Sequence, residues 1–186
     1  AAKKPPKAIE TQKSTLKPLN HVIVIGGGTM GSGIAYAFLN ANIRVTILES
    51  DDAGMQRANT AIDTIISASL ASGHIDQQAA TDRRNLLKVM MAQPDSDAGK
   101  RRNDDLTNVD LVIEAVFEDL AIKKEILQAI EPALEPNAII ATNTSYLDVN
   151  KLAACLDNPS RFVGLHFFAP AHIMKLLEIV KGSETS

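Results

Sequence analysis

The chain has 186 residues, a formal net charge of −3 at pH 7 and a hydrophobic content of 45%. This length suits one domain with a sizeable core, or one domain and a fragment, and the composition is ordinary for a globular protein. The acidic balance gives no reason to expect nucleic-acid binding, no apolar run approaches the length of a membrane span, and no signal peptide is visible.

The first 18 residues differ in composition from the rest of the chain. Residues 1–17 contain five lysines and one glutamate, and the segment includes Pro5, Pro6 and Pro18 but almost no large apolar side chains. We predict a basic linker or disordered leader over residues 1–18. A mitochondrial presequence is an alternative that the prolines and the lack of arginine disfavour. Residues 19–186 are predicted to form the domain.

Strand and helix patterns alternate in the first half of this domain. The predicted elements are strand 21–25, helix 30–41, strand 43–48 and two helices over about 55–70 and 76–86. The helical pair, interrupted at Gly73, is longer than a crossover between strands requires. Residues 89–92 are a weak strand candidate, and the charged and polar stretch 94–108 is loop-like.

The second half continues this alternation and ends in a different way. Its predicted elements are strand 110–116, helix 120–133 and strands 138–141, 161–168 and 174–180. Glu114 is an acid inside the first strand, and Asp119 is the predicted N-cap of the helix. Residues 169–173 are too few for a helical crossover, so the last two strands should be antiparallel. We therefore predict an α/β fold, a Rossmann-like doubly wound and mostly parallel sheet with a helical-pair insertion and an antiparallel strand pair at its C-terminal end.

A glycine-rich turn follows the first predicted strand with the spacing G-x-G-x-x-G. Gly26 allows the tight turn, Gly28 leaves room for a pyrophosphate, and Gly31 lets the helix pack close to the strand. The free N–H groups at the helix start, around Thr29 and Met30, then face the phosphates. A lone motif of this kind is weak, but a strand before it and a helix after it favour a dinucleotide site.

Glu49 ends the second predicted strand, where this motif requires an acid for the ribose hydroxyls. A carboxylate there accepts hydrogen bonds from both adenosine ribose hydroxyls and repels a 2′-phosphate. The sequence therefore predicts NAD rather than NADP as the cofactor. The alternative interpretation is a solvated glutamate at a strand end.

Further polar residues lie at predicted carboxyl ends of strands, where ligands bind in open α/β sheets. They are Glu118, residues 143–145 and His166. Each also has a structural explanation, since His166 can be a hydrogen-bonded structural histidine, Ser145 can cap the next helix and Glu178 can be an edge charge. Their convergence beside a nicotinamide site favours a functional role.

The lone cysteine, Cys155, has no partner for an internal disulfide, which indicates a reducing compartment rather than secretion. It lies in the apolar stretch 152–155, so we predict a buried structural thiol rather than a nucleophile. The sequence predicts no metal site.

Four runs give the chain a close resemblance to the NAD-binding domain of L-3-hydroxyacyl-CoA dehydrogenases. They are VIGGGTMGSGIA, DLVIEAVFEDLAIKKEI, ATNTSYLDV and GLHFFAPAHIMKLLEIVKG, and they cover nearly all of residues 19–182. The last run is most similar to multifunctional fatty-acid β-oxidation enzymes, in which an enoyl-CoA hydratase part comes first. The resemblance implies oxidation of a 3-hydroxyacyl-CoA to the 3-ketoacyl-CoA, with residues 1–18 as the connector between the two parts.

The resemblance also implies roles for individual residues. His166 corresponds to the base that takes the 3-hydroxyl proton, and Glu178 to the carboxylate that orients it. Ser145 corresponds to the serine that hydrogen-bonds the reacting oxygen. Glu118 and Lys123 correspond to cofactor contacts on the nicotinamide side, with Asn143 beside them.

Two departures from the family pattern modify this expectation. Ala169 stands where many relatives have Asn or Ser, so one polar contact is missing. The chain ends at Ser186, before the family's helical C-terminal domain, which supplies the substrate cover and much of the dimer contact. We therefore expect an excised domain that is poorly active alone, from an often dimeric family that is cytoplasmic in bacteria or peroxisomal.

Two alternative functions remain open from the sequence. One is a non-catalytic NAD(H)-binding module, which would not need His166, Glu178 and Ser145 together. The other is a dehydrogenase of similar fold that acts on a sugar or a small hydroxy acid. The LHFFAPAH run disfavours this second alternative.

Overall fold

The computed structural model describes residues 17–92, 106 and 108–186. The predicted linker 1–18 lies almost entirely outside the described residues, and so does most of the predicted loop 94–108. The strands are β1 (His21–Ile25), β2 (Arg44–Glu49), β3 (Leu87–Met91), β4 (Leu111–Glu114), β5 (Ile139–Thr142), β6 (Phe162–Phe167) and β7 (Leu177–Val180). The helices are α1 (Thr29–Asn40), α2 (Asp52–Ala71), α3 (Gln77–Asn85), α4 (Leu120–Ile130) and α5 (Val149–Ala153), with 3-10 turns at Glu131–Ala133 and Pro159–Arg161.

The seven strands form one sheet in the order β3-β2-β1-β4-β5-β6-β7. All neighbouring pairs are parallel except β6 and β7, which are antiparallel. This confirms the predicted doubly wound fold and the antiparallel pair at its end. The strand order reverses between β1 and β4, which is the position where such sheets open a crevice for a ligand.

The core has two layers, one on each face of the sheet, because side chains of a strand alternate between faces. Val22 and Val24 of β1 pack into one layer with α1 and α2. Ile23 and Ile25 pack into the other layer with α4 and α5. Every residue of β1 and β4 is buried, so the centre of the sheet is rigidly enclosed.

Two elements end earlier than the sequence predicts. β4 ends at Glu114 rather than at residue 116, because the Glu114 carboxylate accepts the Val116 N–H at 2.7 Å where the chain turns. The helix predicted over 120–133 is α-helical only to Ile130 and continues as a 3-10 turn. Pro132 explains this change, since proline disrupts the hydrogen bonding of a continuing α-helix.

Two other strands also differ from the prediction. The weak candidate at 89–92 is a regular strand, β3, that pairs in parallel with β2. The last strand begins at Leu177 rather than at residue 174. The segment before it forms a turn in which the N–H groups of Ile173 and Met174 both donate to the Pro170 carbonyl at 2.9 Å.

Candidate cofactor and active site

The turn after β1 has the backbone conformation that the glycine motif requires. Gly26 has a φ of +90°, in the left-handed region that favours glycine. A Cβ on Gly31 would overlap the Gly26 carbonyl oxygen, so α1 packs directly on this turn. A Cβ on Gly28 would meet no atom within 4 Å, and Gly28 gives the helix no side-chain cap. The N-terminus of α1, beginning at Thr29 and Met30, therefore faces open space that suits an anionic group.

Glu49 at the end of β2 contacts this same turn. Its Oε1 accepts the Gly27 N–H at 2.5 Å. A Cβ on Gly27 would lie 2.5 Å from the Ala58 Cβ and 3.0 Å from Ile47 Cγ2. Gly27, like the motif residue Gly31, thus has no room for a side chain, although the motif allows any residue at its position. The run of three consecutive glycines in the sequence is the signal that could have identified it.

A buried ion pair lies under the crevice, between β4 and α4. Lys123 Nζ lies 2.7 Å from Glu114 Oε1 and 3.0 Å from Oε2, and the two side chains are 1% and 0% exposed. The Thr142 hydroxyl donates to Glu114 Oε2 at 2.7 Å, and the Val116 carbonyl accepts from Lys123 at 3.2 Å. The acid inside the predicted strand therefore has a buried cation as its partner, which the sequence pattern did not identify.

Glu118 connects this ion pair to the loop that follows β5. Its Oε2 lies 3.1 Å from Lys123 Nζ, and its Oε1 accepts from the Thr144 hydroxyl at 2.5 Å and from the Ser145 N–H at 2.8 Å. Burial acts to raise the pKa of the Glu118 carboxyl, but hydrogen bonds from Thr144 and Ser145 and the nearby Lys123 together lower this pKa below its ordinary value. Glu118 is therefore a carboxylate that holds the backbone of Ser145.

Ser145 does not cap the helix that follows it, so that structural interpretation is wrong. Helix α5 begins at Val149, and its N-cap is Asp148, whose carboxylate accepts the Asn150 N–H at 2.9 Å. Ser145 itself is exposed at the carboxyl end of β5. Its hydroxyl therefore has no role as the cap of this helix.

His166 and Glu178 form a hydrogen-bonded pair across the antiparallel strands. They are register partners in β6 and β7, and His166 Nδ1 lies 2.9 Å from Glu178 Oε2. The imidazole ring also packs on the Phe168 ring, with centroids 4.6 Å apart. Asn143 Oδ1 accepts the Phe167 N–H at 2.9 Å, which ties the end of β5 to the residue after the histidine. With Nδ1 bound to the carboxylate, Nε2 is the ring nitrogen that can exchange a proton with a ligand.

The predicted site residues thus fall into groups at the carboxyl ends of neighbouring strands. Glu118, Lys123 and Ser145 are joined directly, and Asn143 links them along β5 to the strand of His166. In the part of the chain that the structure describes, no cluster of three or more His, Cys, Asp or Glu side chains could hold a metal ion. Cys155 is only partly buried, rather than buried as predicted, and desolvation raises the pKa of its thiol.

Comparisons with known proteins identify the family of this domain. Residues 21–186 match the family model described as the NAD-binding domain of 3-hydroxyacyl-CoA dehydrogenase. A peroxisomal bifunctional enzyme from Cavia porcellus is 35% identical over 183 residues, covering 97% of this chain and 23% of the relative. A probable 3-hydroxyacyl-CoA dehydrogenase from Caenorhabditis elegans is 37% identical over 174 residues, covering 92% of this chain and 54% of the relative.

A solved structure shares the same fold over most of the chain. The crystal structure of (S)-3-hydroxybutyryl-CoA dehydrogenase from Ralstonia eutropha superposes with a TM-score of 0.82 at 31% identity, covering 91% of this chain and 56% of that one. The chain therefore spans about a quarter to about half of the length of these relatives. The match of the family model over nearly the whole described domain establishes that this chain belongs to the family of 3-hydroxyacyl-CoA dehydrogenase NAD-binding domains.

Proposed function

We propose that this domain provides the cofactor site and the catalytic base of an enzyme that oxidises L-3-hydroxyacyl-CoA to 3-ketoacyl-CoA. The observation that carries the proposal is the 2.9 Å contact between His166 Nδ1 and Glu178 Oε2 at the carboxyl end of β6. A module that only binds NAD(H) has no need for an imidazole oriented by a carboxylate. Family membership supports the same reaction.

The proton of the substrate hydroxyl goes to His166 in this mechanism. A bound NAD would supply the acceptor for the hydride from C3 of the substrate. Nε2 of His166 takes the hydroxyl proton as the electron pair of the O–H bond forms the new carbonyl. Glu178 keeps the ring in position through Nδ1 and stabilises the imidazolium that results. Ser145 would donate a hydrogen bond from its hydroxyl to the reacting oxygen.

The two ends of the cofactor would be held by different groups. The glycine turn and the N-terminus of α1 would bind the pyrophosphate, and Glu49 would accept hydrogen bonds from the adenosine ribose. On the nicotinamide side we propose Glu118 and Asn143. Lys123 Nζ already contacts two carboxylates and a carbonyl, so we propose that it acts by holding Glu118 in place.

An exposed apolar surface around β7 supports a partner domain. The exposed side chains of this surface are Ile173, Met174, Leu176, Leu177, Ile179 and Val180. A concentration of exposed apolar side chains in one segment is typical of an interaction site. Since the relatives are longer than this chain, we propose that a C-terminal helical domain packs here and covers the substrate.

The remaining proposals concern the whole protein. We propose residues 19–186 as the NAD-binding domain and residues 1–18 as its connector to a preceding hydratase part, as in a multifunctional β-oxidation enzyme. Relatives named as peroxisomal support a peroxisomal location, and a bacterial protein of this type would be cytoplasmic. Among the residues described here, no helix has the length and apolar character to span a membrane.

The test is a steady-state assay of the full-length protein with 3-hydroxybutyryl-CoA and NAD. We expect His166→Gln to lower kcat by about 10²–10⁴-fold, the usual effect of losing a general base, while NADH binding is nearly unchanged. Glu178→Gln should also lower kcat, and the double variant should lose far less than the product of the two single effects. Normal kcat in His166→Gln, with reduced thermal stability, would identify a structural histidine and contradict the proposal.

A further inference from the structure

The Glu49 carboxylate lies against a second glycine that belongs to no motif. Gly54 is a buried residue in the first turn of α2. A Cβ on Gly54 would lie 2.6 Å from Glu49 Oε2, 3.0 Å from its Cδ and 3.2 Å from its Cβ. A methyl group therefore cannot occupy this position unless the Glu49 side chain moves.

The other oxygen of the same carboxylate is held from the opposite side. Oε1 accepts the Gly27 N–H at 2.5 Å, and a Cβ on Gly27 would lie 3.1 Å from it. Gly54 is fixed in turn because its N–H donates to the N-cap carboxylate of Asp51 at 2.6 Å. The Glu49 carboxylate thus lies between the glycine turn and the first turn of α2, with one oxygen toward each.

Glycine is unfavourable at this helical position, because its helix propensity is low. Alanine stabilises a helix by up to about 1 kcal/mol relative to glycine. The φ of Gly54 is not in the left-handed region, so its backbone would accept alanine without strain. Space for the Glu49 carboxylate is the remaining physical reason for a glycine here.

We propose that Gly54 is a positioning residue that sets the preference for NAD over NADP by keeping the Glu49 carboxylate on the glycine turn. The proposal rests on the proposed role of Glu49 as the ligand of the adenosine ribose. The end of a glutamate side chain is its most mobile part, so a methyl group at residue 54 displaces the carboxylate rather than the backbone. The displaced carboxylate loses the Gly27 N–H and no longer faces the ribose hydroxyls.

The first experiment titrates NADH and NADPH into the Gly54→Ala variant of this chain. We expect NADH affinity to fall about tenfold or more, the scale of hydrogen bonds to a charged group, while NADPH affinity changes little. The preference for NADH should therefore shrink. The control is Ala53→Gly, an exposed neighbour in the same helical turn, which weakens the helix and should leave the preference unchanged.

A second variant identifies the carboxylate as the obstructing group. Aspartate is one methylene shorter than glutamate, so Gly54→Ala should cost less NADH affinity in a Glu49→Asp background than in the native one. If Gly54→Ala alone does not fold, Glu49→Ala/Gly54→Ala should fold, because the clashing group has gone. Failure of that double variant to fold would place the obstruction elsewhere and overturn the proposal.

The outcomes separate this proposal from the role of Glu49 itself. An unchanged NADH preference in Gly54→Ala, with a reduced preference in Glu49→Ala, would overturn the proposal for Gly54 and leave the proposed cofactor contact intact. An unchanged preference for NADH over NADPH in Glu49→Ala would contradict the proposed contact between Glu49 and the adenosine ribose, and with it the proposal for Gly54 that rests on this contact. Equal losses of NADH and NADPH affinity in Gly54→Ala would indicate a packing effect only and would also overturn the proposal.

Discussion

The centre of the sheet and its C-terminal edge are built in different ways. Ile47 in β2 has no exposed surface, whereas Ile179 in β7 is 67% exposed. Core layers on both faces of the central strands hold the glycine turn and Glu49 in place. The strand that carries Glu178 is exposed at every residue and is held by its pairing with β6. The proposed cofactor region therefore depends on packing within this chain, and the proposed catalytic pair, His166 and Glu178, depends on a strand that packing does not enclose.

The largest expected effect is in the buried ion pair under the crevice. Lys123→Met should destabilise the domain by about 3–5 kcal/mol, because it leaves the Glu114 carboxylate buried without its cation. Chemical denaturation measures the change. The control is Glu114→Gln/Lys123→Met, which removes both charges and should recover part of the loss. If Lys123→Met were as stable as the native chain, the ion pair between Lys123 and Glu114 would not be enclosed by the protein.

A matched pair of isoleucine substitutions tests the comparison directly. Ile47→Ala should cost about 2–5 kcal/mol of unfolding free energy, since it leaves a cavity in the core. Ile179→Ala should change the unfolding free energy by less than about 0.5 kcal/mol, as expected for an exposed side chain. The two variants are compared by urea denaturation of this chain. Similar losses in both would show that β7 is enclosed in solution and would refute the distinction.

A smaller loss of stability than in Lys123→Met or Ile47→Ala is expected from a change in the loop that holds Ser145. The Thr144 hydroxyl helps to keep the pKa of Glu118 below its ordinary value, so the folded state releases this proton more readily than the unfolded state. The lowered pKa of Glu118 therefore stabilises the folded state. This stabilisation is complete above the pKa that Glu118 has in the unfolded chain, and it is lost as the pH falls through the pKa that Glu118 has in the folded chain. Thr144→Val should reduce stability at pH 7 by about 1–2 kcal/mol and by less in acid.

Thr144→Ser is the matched control for this loop, because it keeps the hydroxyl that donates to Glu118. It should retain most of the pH-dependent stability. Thermal or chemical unfolding of the three proteins at pH 7 and at acidic pH makes the comparison. An identical loss at both pH values in Thr144→Val would exclude the contact with the Glu118 carboxylate as the cause.

Much of the central sheet follows from local sequence patterns. A strand that is buried on both faces is a continuous apolar run, and a glycine turn has a fixed spacing, so β1, β2 and the turn between β1 and α1 were predictable. The partner of Glu114 was not, because residues 114 and 123 meet only when α4 packs across β4. Local periodicity carries no information about such a contact between elements.

The same limit applies to individual site residues. Ser145 was open to interpretation as a helix cap, because only the structure reveals that Asp148 takes this role. The constraint on Gly27 comes from Ile47, Glu49 and Ala58, which are distant from it in sequence. The constraint on Gly54 comes from the Glu49 side chain, whose direction the sequence pattern does not reveal. The start of β7 depends on the turn at Pro170, whose hydrogen bonds have no simple pattern in the sequence.

The most direct test is a calorimetric titration of this 186-residue chain with NADH and, in parallel, with NADPH. If the cofactor region is complete within the packed centre of the sheet, the chain should bind one NADH saturably and NADPH more weakly, even if it does not oxidise substrate. If the folded chain did not bind NADH, or bound NADPH with equal affinity, the claim that this chain contains a complete cofactor region with a preference for NADH would be contradicted.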